Sequence, residues 1–418
     1  MKHAIMVLLG ATVIATAQPK FAFTNFAGQV GVSGLTNGLG SDAYFSGSLS
    51  IARDSAGNMF VGDYYNNAIR MITPDAVVTT VPGGSSGYNH PDGVVADNLG
   101  NLYVADQDNN RIRKITNGVA SVFAGSTTLG TNDGTGTAAR FYKPTGLAID
   151  PGGNLYVADR YNHLIRRITP DAVVKTIAGL GKSGGGGIVG TNDGIGNAAR
   201  FNFPTCIAVD GKTNLFVTDS SNHSIRKMTS DGTNWMVTTF AGTPGQSGTN
   251  DGTGLSAMFN VPRGMAFDSA GNLFVVDSNN HTVRMITPEG VVTTVAGMPG
   301  VTGSANGTNT DARFYGPKGI VLDDAGNMFV ADGGNYRISK GVLLNAPSGP
   351  PAFSAASVAG GLFHLWITNS APGSEVVLET SGNLGSWTPV STNTSALIDV
   401  SDLISGQGQR FFRAYLRQ

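Results

Sequence analysis

The stretch "DRYNHLIR", residues 159–166, recurs five more times along the chain with the same outline. The other copies are DYYNNAIR at 63, DQDNNRIR at 106, DSSNHSIR at 219, DSNNHTVR at 277 and DGGNYRIS at 332. Successive aspartates are separated by 43, 53, 60, 58 and 55 residues. These intervals suit one blade of a β-propeller with loop insertions. The repeat therefore predicts six blades.

Each copy lies inside the same strand and turn pattern. In the third copy, a short apolar strand "GLAID" (146–150) precedes the turn "PGGN" (151–154) and a second strand "LYVAD" (155–159). The Asp and Asn residues of the motif favour a second turn, because they bond local backbone and tolerate left-handed conformations. A third strand "LIRRI" (164–168) and a fourth "VVKTI" (173–177) follow.

This unit resembles the NHL-repeat family, whose name is spelled at Asn162-His163-Leu164. The resemblance covers about residues 21 to 341 and implies an all-β, six-bladed β-propeller. The sixth copy lacks a fourth strand after Lys340, whereas "FAFTNFAG" (21–28) matches that strand and has no blade before it. We therefore expect the N-terminal strand to close the ring, which removes exposed strand edges.

Composition agrees with an all-β chain. Of 418 residues, 59 are Gly and only 13% are charged, which is typical of short strands joined by tight turns. Lys and Arg total 27 against 28 Asp and Glu, a net charge of -1. A balanced charge disfavours nucleic acid as a partner.

The N-terminus reads as an export signal. Lys2 and His3 precede an apolar run, and Ala15-Thr16-Ala17 resembles a cleavage site, so residues 1–17 are interpreted as a signal peptide. This predicts a periplasmic, cell-surface or extracellular protein, with no transmembrane segment in the mature chain. Cys206 is the only cysteine, so no internal disulfide is possible.

The sequence divides after the repeats. We expect the propeller to cover residues 18–344, a linker "NAPSGPP" to occupy 345–351, and a small β-sandwich-like module to form from 352–418. Four strand-like runs in the module support this: 362–368, 374–380, 396–400 and 410–416.

The charged residues of the repeats have structural interpretations. The turn histidines His163, His223 and His281 lie on separate blades, too far apart to share a metal. The motif arginines are expected to pair with a nearby acid or carbonyl, and Ser339 replaces the arginine in the sixth copy. Between blades, loops such as "TNDGTGTAARF" (131–141) offer one Asp each, fewer oxygens than calcium needs, so a turn before a packed Phe is favoured.

Residues that differ between blades are the candidates for function. The middle position of a Pro-x-Gly step before each first strand should ring one mouth of the central channel, with Leu49 matching it in blade one. These candidates for ligand binding are Asp92, Thr145, Thr205, Arg263 and Lys318. They could orient a polar or anionic group, although solvated loop residues remain the plainer interpretation. They do not form a metal site, and no cofactor is expected.

Two functions remain open. The first is an exported, non-enzymatic protein that presents a rigid propeller face to a peptide, protein or glycan. The alternative is a metal-dependent propeller enzyme, lyase-like or lactonase-like, with its site at the channel; the resemblance to such propellers implies it. No catalytic residues can be named, because no catalytic constellation emerges from positions that the fold would bring together.

Overall fold

The structure is a computed structural model that describes residues 18–344, apart from the side chains of Ser48 and Leu49, and the backbone of six later strands. The proposed signal peptide and linker lie outside the described residues. Residues Lys20–Leu344 form one compact unit, and the later strands belong to a second unit.

Six antiparallel sheets make up the first unit, and each is one blade. From the inner strand outward, the blades are Ser48–Arg53, Met59–Asp63, Ala68–Ile72 and Val77–Thr80; Pro91–Ala96, Leu102–Asp106, Arg111–Thr116 and Val119–Gly125; Leu147–Ile149, Leu155–Asp159, Leu164–Ile168 and Val173–Ala178; Pro204–Val209, Leu215–Asp219, Ser224–Ser230 and Trp235–Ala241; Pro262–Phe267, Leu273–Asp277, Thr282–Ile286 and Val291–Ala296; and Gly319–Leu322, Met328–Asp332, Arg337–Leu343 and Phe21–Ala27. The predicted six-bladed propeller is confirmed.

Short elements join the blades. Two-residue strands extend every blade except the second at its outer edge: Gly38–Leu39, Gly134–Thr135, Gly194–Ile195, Gly252–Thr253 and Gly307–Thr308. One-turn 3-10 helices follow these strands at Gly40–Asp42, Gly136–Ala138, Gly196–Ala198, Gly254–Ser256 and Asn309–Asp311. Six more form the motif turns at Tyr64–Asn66, Gln107–Asn109, Arg160–Asn162, Ser220–Asn222, Ser278–Asn280 and Gly333–Asn335.

The N-terminal strand Phe21–Ala27 closes the ring, as expected. It pairs antiparallel with Arg337–Leu343, and Phe21 lies opposite Leu343. Phe21 and Phe23 are buried against Phe274 and Phe314 of the neighbouring blade and blade linker. The first and last parts of the propeller sequence thus share one core.

The hydrophobic core lies between blades. Five of the six interblade loops end in a phenylalanine that is fully buried: Phe45, Phe141, Phe201, Phe259 and Phe314. Burying a side chain of this size contributes roughly 1.5–3 kcal/mol. Because each ring fills the seam between two sheets, the blades stabilise one another around the circle.

The C-terminal strands form two three-stranded sheets. One contains Ala352–Ala359, Leu362–Thr368 and Leu397–Asp399, and the other contains Glu375–Ser381, Thr388–Asn393 and Phe411–Arg417. All four predicted runs overlap strands of these sheets. The strands agree with a β-rich module, and the module and its sandwich-like packing stay predictions.

Candidate functional site at the channel mouth

The inner strands of the six blades line a central channel with a cavity of about 290 Å³. Its wall is mainly apolar, with Val94, Leu147, Ile207 and Met265 among the lining residues. Charged side chains are concentrated where the inner strands begin. A charge held against such a wall interacts more strongly than one in open water.

The Pro-x-Gly step brings neighbouring blades together at this end of the channel. The backbone N–H of Gly264 donates to the Lys318 carbonyl at 2.9 Å, and that of Gly146 donates to the Thr205 carbonyl at 2.9 Å. A Cβ atom at Gly264 would lie 2.7 Å from the Lys318 carbonyl oxygen, too close for another residue type. Glycine at this step therefore allows the ring of inner strands to be narrow.

Three of the five candidate residues converge. Asp92, Arg263 and Lys318 line both the channel and an adjoining pocket of about 380 Å³ at its mouth. These three residues and the pocket are called the charged mouth below. Their role in binding a ligand stays a prediction.

The two threonines are engaged with the protein itself. Thr145 is 2% exposed, and its hydroxyl donates to the Thr205 carbonyl at 3.1 Å. The Thr205 side chain lies by the channel, but its hydroxyl bonds those of Thr218, at 3.0 Å, and Ser220. Both hydroxyls thus connect strands rather than lie free at the mouth.

Arg160 completes the charged mouth, and sequence reasoning missed it. It lines the same pocket as Arg263 and Lys318, and its guanidinium carbon lies 5.4 Å from the Tyr161 ring and 5.5 Å from the Phe203 ring. The residue after the motif aspartate varies between blades, as the Pro-x-Gly position does. Applying the same test of variation to that position could have found Arg160.

The cations of the mouth lack ion-pair partners. Within the part of the chain that the structure describes, neither Arg160, Arg263 nor Lys318 has a carboxylate within 4.0 Å of its side-chain nitrogens. The Nε atoms of Arg160 and Arg263 are buried without a hydrogen-bond acceptor in the same part. Asp92 is the one acid among the pocket-lining residues, so positive charge exceeds negative charge there.

The pKa values show how these groups influence one another. Burial, and then the nearby Arg263, lower the pKa of Lys318 to about 7. Burial and Arg160 also lower the pKa of Arg263. Burial raises the pKa of Asp92, although Arg263, Arg160 and Lys318 oppose that rise. An anion bound among the cations would relieve their mutual repulsion.

Cys206 belongs to the inner strand of blade four and lines the channel. Its thiol is partly accessible and unpaired by any disulfide. Burial raises the pKa of the thiol to about 11, so it is protonated at neutral pH. This protonation disfavours a role as nucleophile.

The other charged residues of the stretch 159–166 have structural roles. Arg166 is fully buried, donates to Asp159 at 2.8 Å and reaches Asp133 at 2.8 Å. His163 has a left-handed backbone, and its Nδ1 accepts the N–H of Phe203 in the next blade at 3.0 Å. The expected pairing of the arginine with an acid is confirmed.

Blade six keeps that pairing by another route. Ser339 occupies the usual arginine position, but Arg337 donates through Nε to Asp332 at 3.0 Å. These positions are two residues apart on one strand, so both side chains lie on the same face. The pairing was therefore not lost in blade six, contrary to what the serine suggests.

The interblade loops use their aspartates for the same network. Asp133 accepts from Arg166 and from the Thr176 hydroxyl at 2.9 Å, and Asp193 and Asp251 make matching bonds with Arg226 and Arg284. Residues 18–344 hold no group of three or more His, Cys, Asp or Glu side chains suited to a metal ion. The charged mouth, with one carboxylate and three cations, does not fit a metal either.

Comparison with known proteins identifies the type of repeat in the propeller. The NHL repeat model matches residues 88–115, and the Teneurin NHL domain model matches residues 123–306. These two stretches of the propeller therefore carry NHL-type repeats. NHL repeat-containing protein 2 of Bos taurus is 30% identical over 250 residues, which are 53% of this chain and 34% of the bovine protein. The match thus spans about a third of that relative.

Solved structures share the fold of this propeller. An auxiliary nutrient binding protein from Bacteroides thetaiotaomicron superposes with a TM-score of 0.62 at 20% identity, covering 78% of this chain and 76% of the other. A gluconolactonase from Xanthomonas campestris superposes with a TM-score of 0.52 at 13% identity, covering 77% and 90%. One fold thus serves binding proteins and enzymes, and the site must decide between them.

No helix within the described residues is long and apolar enough to cross a bilayer.

Proposed function

We propose that this protein is an exported, non-enzymatic binding protein that holds an anionic group of its ligand at the charged mouth. The observation that carries the proposal is the convergence of Arg160, Arg263 and Lys318 without an ion-pair partner in the described residues. Like charges without partners lower stability, and a carboxylate on the ligand would offset that cost.

Guanidinium groups favour a carboxylate in particular. Their planar donors bind two oxygens at once, whereas the lysine ammonium contributes a single concentrated charge. A peptide, protein or glycan that carries carboxylates would satisfy this chemistry. Export rests on residues 1–17 of the sequence, and the periplasm, cell surface and medium all remain possible destinations.

The metal-dependent enzyme is the less favoured alternative. Its reaction would need several carboxylate or imidazole ligands at the channel, and Asp92 is the one acid lining the charged mouth. The donors there suit an anion better than a cation.

Titration calorimetry with citrate at low salt tests the proposal. We expect the Arg263→Gln/Lys318→Gln variant to bind citrate at least about tenfold more weakly than the parent, because two charges facing the anion are gone. The binding of the parent should also weaken as salt rises.

The matched control is Lys175→Gln/Lys182→Gln, which removes the same net charge at exposed positions. That variant should bind citrate like the parent. Equal affinity of the mouth variant and the parent, or failure of the parent to bind, would contradict the proposal.

A further inference from the structure

Tyrosines line one side of the charged mouth. Tyr64 and Tyr65 come from blade one, and Tyr315 and Tyr336 come from blade six. Tyr65 is 65% exposed and Tyr315 is 51% exposed, and they are the two most exposed aromatic side chains among the described residues. Large exposed rings beside a pocket are typical of a surface that a ligand covers.

The two exposed rings lie close against glycines. A Cβ atom at Gly47 would lie 2.7 Å from Cδ2 of Tyr65, and one at Gly334 would lie 2.6 Å from Cδ1 of Tyr315. A side chain at either position would displace the ring. The tyrosines are thus positioned before any ligand arrives, which lowers the entropy cost of binding.

A second layer of contacts supports Tyr64. Its ring stacks on His90 with 4.3 Å between centroids and 14° between planes. The His90 Nδ1 lies 2.8 Å from an Asp108 carboxylate oxygen, and Lys143 contacts the same carboxylate at 3.1 Å. These contacts hold the Tyr64 side of the mouth in place.

The charged side adds a second requirement for the ligand. Arg160, Arg263 and Lys318 call for an anionic group, while Asp92 lies among them as a hydrogen-bond acceptor. Asp92 favours an anion with a hydroxyl next to its carboxylate, because the Asp92 carboxylate can accept a hydrogen bond from that hydroxyl. A sugar acid has that carboxylate, adjacent hydroxyls and an apolar ring face in one unit.

We infer that the charged mouth and its tyrosines bind a uronate residue of an acidic glycan. The carboxylate lies against the guanidinium groups, a ring hydroxyl donates to Asp92, and the C–H face of the sugar packs on Tyr65 or Tyr315. This inference rests on the proposed function, because it names the substance whose anionic group the cations hold.

Calorimetry with trigalacturonate, the neutral galactotriose and citrate tests the inference. We expect the parent to bind trigalacturonate and to show no measurable affinity for galactotriose. The Tyr65→Ala/Tyr315→Ala variant should lose at least about tenfold in affinity for trigalacturonate, because both ring surfaces are removed. Its affinity for citrate should stay within about twofold of the parent, because the cations remain.

Leu99→Ala is the control for loss of exposed apolar surface, since Leu99 lies on an exposed turn between the first two strands of blade two. It should leave the binding of trigalacturonate unchanged. If citrate binding depends on Arg263 and Lys318 but trigalacturonate binding ignores the tyrosines, the uronate inference is wrong and the proposed function stands.

Two other outcomes are decisive. Tighter, tyrosine-dependent binding of uridine monophosphate or of a peptide with a free C-terminal carboxylate would replace the uronate by that ligand class. Loss of cation dependence for every anion would overturn both the inference and the proposed function.

Discussion

The surroundings of Lys318 show that the charged mouth lowers the stability of the folded protein. It lies beside Arg263 and Arg160, and no carboxylate within the described residues forms an ion pair with it. Burial and these like charges lower its pKa from 10.5 to about 7. An arrangement that lowers stability at a channel mouth is typical of a functional site.

Replacing Lys318 by Met should therefore stabilise the protein near neutral pH. The pKa is lower in the folded state than in the unfolded state, so the unfolded chain binds more protons between about pH 7 and 10.5. Across that window the stability of the parent rises with pH, and Lys318→Met lacks this rise. We expect a gain of roughly 1–2 kcal/mol at pH 7 or below that shrinks toward pH 10, less than the full shift because water reaches the channel.

Denaturant unfolding at pH 6.0 and 9.5 measures this difference. Lys175→Met, at an exposed position, provides the control and should change stability little at either pH. If Lys318→Met raises stability equally at both pH values, the surroundings do not lower the pKa of Lys318.

The sequence predicted Asp92, Arg263 and Lys318 but not Arg160 or the tyrosines. The prediction came from one position of the repeat, the middle of the Pro-x-Gly step. In the structure, Pro91 pairs with Asp106 and Pro262 pairs with Asp277, so the turn after each motif aspartate lies beside that step. The charged residues of the mouth thus come from two repeat positions, and their proximity depends on a strand register that the repeat alone did not specify.

At the scale of strands, ring closure was the most specific prediction that the sequence allowed. A missing fourth strand after Lys340 and an unassigned strand at 21–28 could be joined because blades are alike. The bulge between Asn25 and Ala27 was not predicted, although a bulge interrupts the fourth strand of blades two to five at the matching place, before the same Ala-Gly pair.

The closing strand offers a matched pair of substitutions. Phe23 is buried between Phe21 and Phe314, whereas the next residue, Thr24, is exposed on the opposite face. Phe23→Asp places an unpaired carboxylate in the core and should lower stability by more than about 3 kcal/mol. Thr24→Asp should change it by no more than about 0.5 kcal/mol.

Thermal unfolding of both variants, followed by circular dichroism, distinguishes these outcomes. Equal melting temperatures for the two variants would mean that the N-terminal strand contributes little to the ring and that closure is achieved elsewhere.

At the scale of the whole molecule, repetition and variation have separate roles. The buried phenylalanines, the arginine network and the turn histidines recur from blade to blade and hold a rigid ring together. The mouth departs from this symmetry, with cations from blades three, five and six and tyrosines from blades one and six. An asymmetric site on a symmetric scaffold can select one orientation of a ligand.

A crystal of the protein soaked in selenate tests the central claim most directly, because anomalous scattering from selenium locates the anion without assuming the natural ligand. We predict an anomalous peak within about 4 Å of the guanidinium of Arg263, shared with Arg160 or Lys318, and its loss in Arg263→Gln/Lys318→Gln. Peaks at exposed lysines alone, with none at the charged mouth of the parent, would contradict the account.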